Sequence, residues 1–285
     1  MNPPRSITVF SHQYPGETGP AIQRLIDVAC ERGIETRFPS GEVEKHGLEE
    51  RSGCVLGAAA DGPSDLAAVF GGDGTILGAL RACAQSGAPV FAFNYGAIGF
   101  LSTVEREELD SGIERALGGD YEVLGMPALE IEVDGSRLIG VNDISFQRRA
   151  NNRVAMLEYS VGSEQLGRVR CDGLVAATPV GSTGYNLANG GPVLAWGVEG
   201  FVVSFIAPHT LTARALVVAP TDALVVQNAS EREAVDVTTD GRPAGELAPG
   251  ESLAIRFRDD RVLLAQLPGA SFYHRFREKF GRLAY

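Results

Sequence analysis

The sequence predicts an α/β protein with a Rossmann-like N-terminal domain on a mostly parallel sheet. A β-rich, sandwich-like domain and a C-terminal helix follow. Three observations predict this. Over the first third, apolar runs of strand length alternate with helical patterns. From about residue 121, short β-type runs follow one another between Gly, Asn and Asp turns. At 271–281 the apolar side chains return to helical spacing. The expected division is residues 1–120, 121–268 and 269–285, with the tail packing back on the N-terminal domain.

Residues 6–10 form a short apolar run suited to a buried strand. In 21–30, Ile22, Leu25, Ile26 and Ala29 fall on one helical face, and Gly33 stops that helix before a strand at 34–38. Residues 40–53 are polar and read as irregular. A compact apolar strand at 66–70 runs straight into Gly71-Gly72-Asp73-Gly74-Thr75, followed by a helix at 76–84 and a strand at 89–93. In parallel sheets ligands sit beyond the carboxyl ends of the strands, which is where this turn falls. Further strands are expected at 129–133, 154–161, 201–206, 223–227, 234–238, 252–257 and 262–267. The run 201–206 suits either an oligomer interface or the domain's own core.

Composition narrows the function. The chain of 285 residues is 44% hydrophobic and 21% charged, ordinary for a globular protein. A formal net charge of −11 argues against non-specific nucleic-acid binding, and it requires any phosphate to be held by local amides, a metal ion or a few arginines. The four cysteines and four histidines match no zinc spacing, and reduced, structural cysteines are expected. The opening MNPPRSITVF lacks the apolar core of a secretory signal. No run approaches the roughly 18 apolar residues of a membrane span, so a cytoplasmic protein without a membrane partner is expected.

Three motifs carry chemistry. In 70–77, glycines let backbone approach a ligand, and the following helix N-terminus offers amides to phosphate oxygens at Gly71, Gly72, Gly74 and Thr75. The Asp73 carboxylate in that turn can take a proton from an attacking hydroxyl; the plainer reading is a strand-to-helix turn with an Asp cap. In 172–192 an apolar strand ends in a loop with five glycines and several hydroxyls, a lining suited to ribose, phosphate and amide groups. Asn142-Asp143 sets an amide beside a carboxylate, suited to the two hydroxyls of a ribose or to an Asx turn.

The order Gly-Gly-Asp-Gly-Thr, then 94–101 (NYGAIGFL), Asn142-Asp143, Thr178 to Tyr185 (TPVGSTGY) and Gly190-Gly191-Pro192 resembles the NAD kinases, over nearly the whole chain. The resemblance implies transfer of a phosphoryl group from ATP or polyphosphate to the 2′-hydroxyl of the adenosine ribose of NAD, giving NADP. It implies Asp73 as general base, with Gly74 approaching the dinucleotide through its backbone. Asn142 and Asp143 match the family's Asn-Glu pair on the adenosine side, with a shorter carboxylate here. Asp172 falls at the position facing the nicotinamide portion. Thr183, Gly184, Tyr185 and Ala188 match the loop lining adenine and ribose, which departs from the usual pattern at Val180, Gly184, Asn186 and Ala188. Phe100, Arg153, Arg170 and Arg242 are further implied NAD contacts, Arg242 within a 240–242 segment that closes the site. Mg²⁺ would come with ATP, held by phosphates and water and not by a protein cage, and a homodimer or homotetramer is implied. Two rivals share pieces of this pattern: a lipid kinase with the same glycine turn, and a non-catalytic NAD-binding sensor of the same fold.

Overall fold

The computed structural model describes residues 1–97, 99–149 and 154–281. The chain forms two compact units, Met1–Gly125 with Val262–Tyr285, and Met126–Arg261.

The first unit begins with β1 (Ser6–Ser11), α1 (Pro15–Glu31), β2 (Glu35–Pro39), α2 (Ser40–His46), β3 (Cys54–Ala58) and β4 (Leu66–Gly71). It continues with α3 (Asp73–Cys83), β5 (Val90–Asn94), β6 (Val104–Glu105) and α4 (Leu109–Gly118). Strands pair in parallel in the order β5-β4-β1-β2-β3. β4 and β5 are buried along their whole length, as strands covered on both faces must be. Ile22, Leu25 and Ile26 of α1 and Ile113 and Leu117 of α4 join Ile7, Val9, Phe70, Phe91 and Phe93 in one core. The order reverses between β1 and β4, so the Gly71–Thr75 turn sits at the carboxyl end of a strand beside a topological switch point.

The second unit takes in β7 (Glu122–Val133), whose first residues belong to the first unit, and β8 (Ser136–Gly140), β9 (Asp143–Arg148), β10 (Ala155–Val161) and β11 (Glu164–Cys171). β12 (Gly173–Ala177), a short helix α5 (Tyr185–Ala188), β13 (Phe201–Ile206), β14 (Leu216–Val218), β15 (Ala223–Asn228), β16 (Val235–Thr239) and β17 (Arg242–Leu247) complete it. One antiparallel sheet runs β14-β13-β12-β9-β16-β17. Its inward side chains Phe146, Leu174, Phe201 and Val237 share a core with Leu157, Val169, Leu224 and Ile255 from the strands on the other side, which makes the unit a sandwich. Phe201, Val203 and Phe205 lie in this core, so the run at 201–206 packs within its own unit and not as an interface.

β18 (Ser252–Gln266) passes from the second unit into the first, pairing with β15 over Ser252–Arg256 and with β5 at Leu264↔Val90. Its charged middle, Arg258 to Arg261, reads as a turn in sequence but is continuous strand, with Arg258 bonded to Glu130 at 2.8 Å. The division between the two compact units falls after Gly125 and after Arg261. α6 (Phe272–Phe280) follows, capped by the Ser271 side chain. Residues 40–53, read as irregular, hold α2, which ends in left-handed Gly47. Glu42, Lys45 and His46 of that helix surround Ser11 at the end of β1, with Ser11 Oγ 2.8 Å from His46 Nε2.

Candidate active site

The Gly71–Thr75 turn is tighter than a ligand alone would demand. A methyl group on Gly71 would lie 2.6 Å from Thr75 Cβ, and one on Gly96 would lie 2.6 Å from Gly72 Cα. Gly71 and Gly72 are thus accounted for by packing, the first under Thr75 and the second against the 94–102 loop. Gly74 alone opens outward, with nothing within 4 Å of a methyl group at its position. The Thr75 and Ile76 amides both return to Gly72 O, at 2.9 and 3.1 Å. Among the described residues the Asp73 and Gly74 amides find no backbone acceptor, the normal condition of a helix N-terminus and one suited to a phosphate oxygen.

Asp73 is the first residue of α3 and is half-buried. Its Oδ2 accepts the Phe100 amide at 3.1 Å and its Oδ1 accepts the Leu101 amide at 3.0 Å. A carboxylate has about four acceptor sites, so each oxygen keeps capacity for another donor. The 94–102 loop is braced in turn. Asn94 Oδ1 accepts the Gly96 amide at 3.0 Å, and Asn94 Nδ2 donates to Glu105 Oε2 at 2.7 Å. The Phe100 ring is buried and meets Phe272 and Phe280 of α6 edge-on. What Phe100 brings to Asp73 is its amide, not its ring.

In the second unit a different turn gathers carboxylates. Asp240, held at φ 47°, receives the Val141, Asn142 and Asp143 amides at 3.1, 2.6 and 3.1 Å and returns its own amide to Asp143 O at 2.9 Å. Thr178 clamps the same turn from β12's side, donating Oγ1 to Val141 O at 2.6 Å and its amide to Asn142 O at 2.9 Å. Gly181 lies so close to Asn142 O that no side chain fits there. Among the described residues Asn142 Oδ1 is buried without a hydrogen-bond partner, an acceptor that a ligand donor would satisfy. Asp143 is only 7% exposed, and burial, with Asp240 as a second cause, pushes its carboxyl up to about 7.

Tyr185 is half-buried, and its phenol is raised first by burial and then by Asp143 and Asp172. Asp172, expected to face nicotinamide, is engaged by Arg148 at 2.6 Å. Asn142, Asp143, Tyr185 and Asp172 therefore fall within one electrostatic neighbourhood. Thr183 donates to Val180 O at 3.2 Å, and Gly184 and Ala188 are exposed on the same loop. Arg170 and Arg242 are exposed on β11 and β17. Arg153 lies outside the described residues. The loop's shape depends on its own side chains: Asn186 Nδ2 donates to Ser182 O and Pro192 O at 3.0 and 2.9 Å, and Ser182 Oγ accepts the Leu194 amide at 2.9 Å. Asn186, at a position where the chain departs from the family pattern, thus serves the loop itself.

The ATP-NAD kinase N-terminal domain family matches residues 42–121 and the ATP-NAD kinase C-terminal domain family matches residues 141–266. The chain is 36% identical to an NAD kinase of Symbiobacterium thermophilum over 231 residues, 78% of this chain and 82% of that protein. It is 30% identical to an NAD kinase of Geotalea daltonii over 285 residues, 96% and 98% of the two chains. In fold it is similar to yeast NADH kinase complexed with NADH, with TM-score 0.86, 21% identity and coverage of 100% of this chain and 89% of that one. It is also similar to an NAD kinase from Archaeoglobus fulgidus in complex with ATP, with TM-score 0.73, 23% identity and 98% coverage of both.

Proposed function

The chain belongs to the NAD kinase family, and we propose that it moves the γ-phosphoryl group of ATP to the 2′-hydroxyl of the adenosine ribose of NAD. The observation that carries the reading is the Asp73 carboxylate, fixed by two amides yet with acceptor capacity left, beside the unclaimed amides of Asp73 and Gly74. In the proposed step, the ribose oxygen forms a bond to the γ-phosphorus while its proton passes to Asp73. The bond from the γ-phosphorus to the bridging oxygen breaks, and ADP leaves. Phosphoryl transfer asks a protein for positioning and charge stabilisation more than for covalent chemistry, and a helix N-terminus with one held carboxylate supplies both.

Mg²⁺ enters this reading as part of the nucleotide substrate, coordinated by phosphates and water, and it neutralises phosphate charge. A turn that offers one carboxylate, already bonded through both oxygens, suits that arrangement better than a protein cage. Asn142 and Asp143 are proposed to hold the adenosine side of NAD, with the unsatisfied Asn142 Oδ1 accepting from the ligand. A 2′-phosphate set against Asp73 is repelled unless a cation lies between, so NADP is expected to bind more weakly than NAD when metal is removed. The cytoplasm as its compartment and a homodimer or homotetramer as its assembly complete the reading; light scattering tests the assembly.

The test is incubation of the protein with NAD, Mg²⁺ and either ATP or polyphosphate. NADP formed from ATP supports the reading, and NADP formed from polyphosphate alone would replace the donor. Tight NAD binding with no NADP from either donor would leave a dinucleotide sensor.

A further inference from the structure

The C-terminal helix reaches the Asp73 turn through a chain of hydrogen bonds that the reaction as described does not use. Arg275 of α6 is half-buried, and its guanidinium donates to Phe100 O at 3.2 Å, to Ser102 O and to Gln266 Oε1. The Phe100 carbonyl belongs to the same peptide unit as the Leu101 amide, which donates to Asp73 Oδ1 at 3.0 Å. One peptide group therefore stands between a guanidinium and a carboxylate, its C=O toward the cation and its N–H toward the anion. Hydrogen bonds in such a chain polarise and strengthen one another, most of all where both ends are charged.

A second strut runs from the same helix. Lys279 Nζ lies 3.4 Å from Glu105 Oε1, Glu105 Oε2 accepts Asn94 Nδ2 at 2.7 Å, and Asn94 Oδ1 accepts the Gly96 amide at 3.0 Å. Gly96 is the residue whose backbone meets Gly72. Both parts of the loop that touch the 71–75 turn are thus tied to α6. Phe272 and Phe280 close over Phe100 between the struts. The charges agree with this arrangement: burial lowers the Arg275 guanidinium, and Asp73 is the first of the charges that raise it again, ahead of Glu105 and Glu278.

We infer that Arg275 is a positioning residue for phosphoryl transfer, holding the Phe100–Leu101 peptide so that its N–H, the Leu101 amide, fixes the Asp73 carboxylate. The inference rests on the reading of Asp73 as the base. It differs from a purely structural role because its effect must pass through Asp73. Arg fits this position better than Lys, since its planar fork reaches two carbonyls and a side-chain oxygen at once, where an ammonium is a point charge.

The experiment is a double-mutant cycle on the full-length protein, reading kcat and KM for NADP formation from NAD and ATP. Arg275→Met is expected to lower kcat by about 30-fold or more, because small displacements of a reacting group cost that much. The KM values are expected to stay within about threefold and the Tm within a few degrees. In an Asp73→Asn background the same substitution is expected to change the residual rate by less than about twofold, since the group it positions is gone. Arg275→Lys is expected to fall between wild type and Arg275→Met. If Arg275→Met does not fold, the cycle is read with Arg275→Lys instead. Equal losses in both backgrounds, or an unchanged kcat in a folded Arg275 variant while wild type turns over, would overturn the inference and leave the reading of Asp73 standing. A wild-type chain that makes no NADP would overturn both.

Discussion

Two turns in this protein present a carboxylate at the end of a β-strand, and they hold it in opposite ways. At the end of β4, Asp73 is itself the acceptor: it takes two amides from the 94–102 loop and remains half-exposed. At the start of β9 the acceptor is a second residue, Asp240, which takes three amides, while the Asp143 carboxylate beside it is buried, takes no amide among the described residues and is pushed up to about 7. A carboxylate that must receive a proton in a reaction gains from being fixed and reachable. A carboxylate that contacts a ligand hydroxyl can wait in a buried turn until the ligand supplies its partner. The first arrangement suits chemistry and the second suits recognition.

Substitutions can break this contrast, and the largest effect is expected at Asp73. Asp73→Asn keeps an oxygen for one amide but removes the base. NADP formation is expected to fall about 10³-fold or more, with NAD affinity by calorimetry kept within about tenfold. Loss of affinity with retained turnover would exchange the roles of the two turns.

Asp240→Ala strands three amides in a turn that lies largely out of water. At about 1–3 kcal/mol for each unsatisfied group that cannot reach solvent, denaturant unfolding is expected to show a loss of about 3–5 kcal/mol. Asp240→Asn is expected to lose less, because its remaining oxygen can still accept. Equal stability of Asp240→Ala and wild type would mean that the turn is held from the Thr178 side alone.

Asp143→Asn separates the two turns by pH. The folded Asp143 carboxyl titrates at about 7, above the roughly 3.9 of an unfolded aspartate. Between those values the folded chain binds the extra proton, so this group's stabilisation is complete below about pH 4 and is lost as pH rises through 7. Asp143→Asn is therefore expected to be more stable than wild type at pH 8, by on the order of 4 kcal/mol at about 1.4 kcal/mol per pH unit between those values, and no more stable near pH 4. Thermal melts across pH read this directly, and a difference independent of pH would remove the buried charge as its cause.

The smallest effects distinguish the glycines. A methyl group on Gly96 meets Gly72 Cα at 2.6 Å, so Gly96→Ala is expected to cost about 1–2 kcal/mol from overpacking. At Gly74 a methyl group meets nothing within 4 Å, and the residue is helical. Gly74→Ala is expected to gain about 0.5–1 kcal/mol of stability while raising the KM for ATP, because it blocks backbone approach. A KM that does not move would take Gly74 out of the phosphate site.

Much of this was legible in the sequence where local pattern and structure share a cause. β4 and its turn read clearly because an unbroken apolar strand ends in glycines, and β13 matched residue for residue because every side chain in it is apolar or small. α1 begins at Pro15, before the apolar periodicity that marks it, because its first residues carry few core side chains. α2 was hidden because its inward residues, Glu42 and His46, are polar and serve Ser11 instead of an apolar core. β18 was split because a charged run that pairs with Glu130 looks like a turn. In the site, Asp73, Asn142 and Asp143 stood out because chemistry and turn geometry coincide there. Asp240 and Arg275 carried no local signal for their roles. Each acts on backbone groups about 100 or more residues away, a relation set by the fold and written in no short motif.

Whether Asp73 meets the ribose hydroxyl is read most directly from a crystal structure of the protein with NAD bound. The expected structure has an Asp73 carboxylate oxygen within hydrogen-bond reach of O2′ of the adenosine ribose, about 2.6–3.2 Å, with the Phe100 and Leu101 amides still on that carboxylate. A ribose bound elsewhere, with Asp73 several ångströms from any sugar oxygen and bonded only to those two amides, would contradict it.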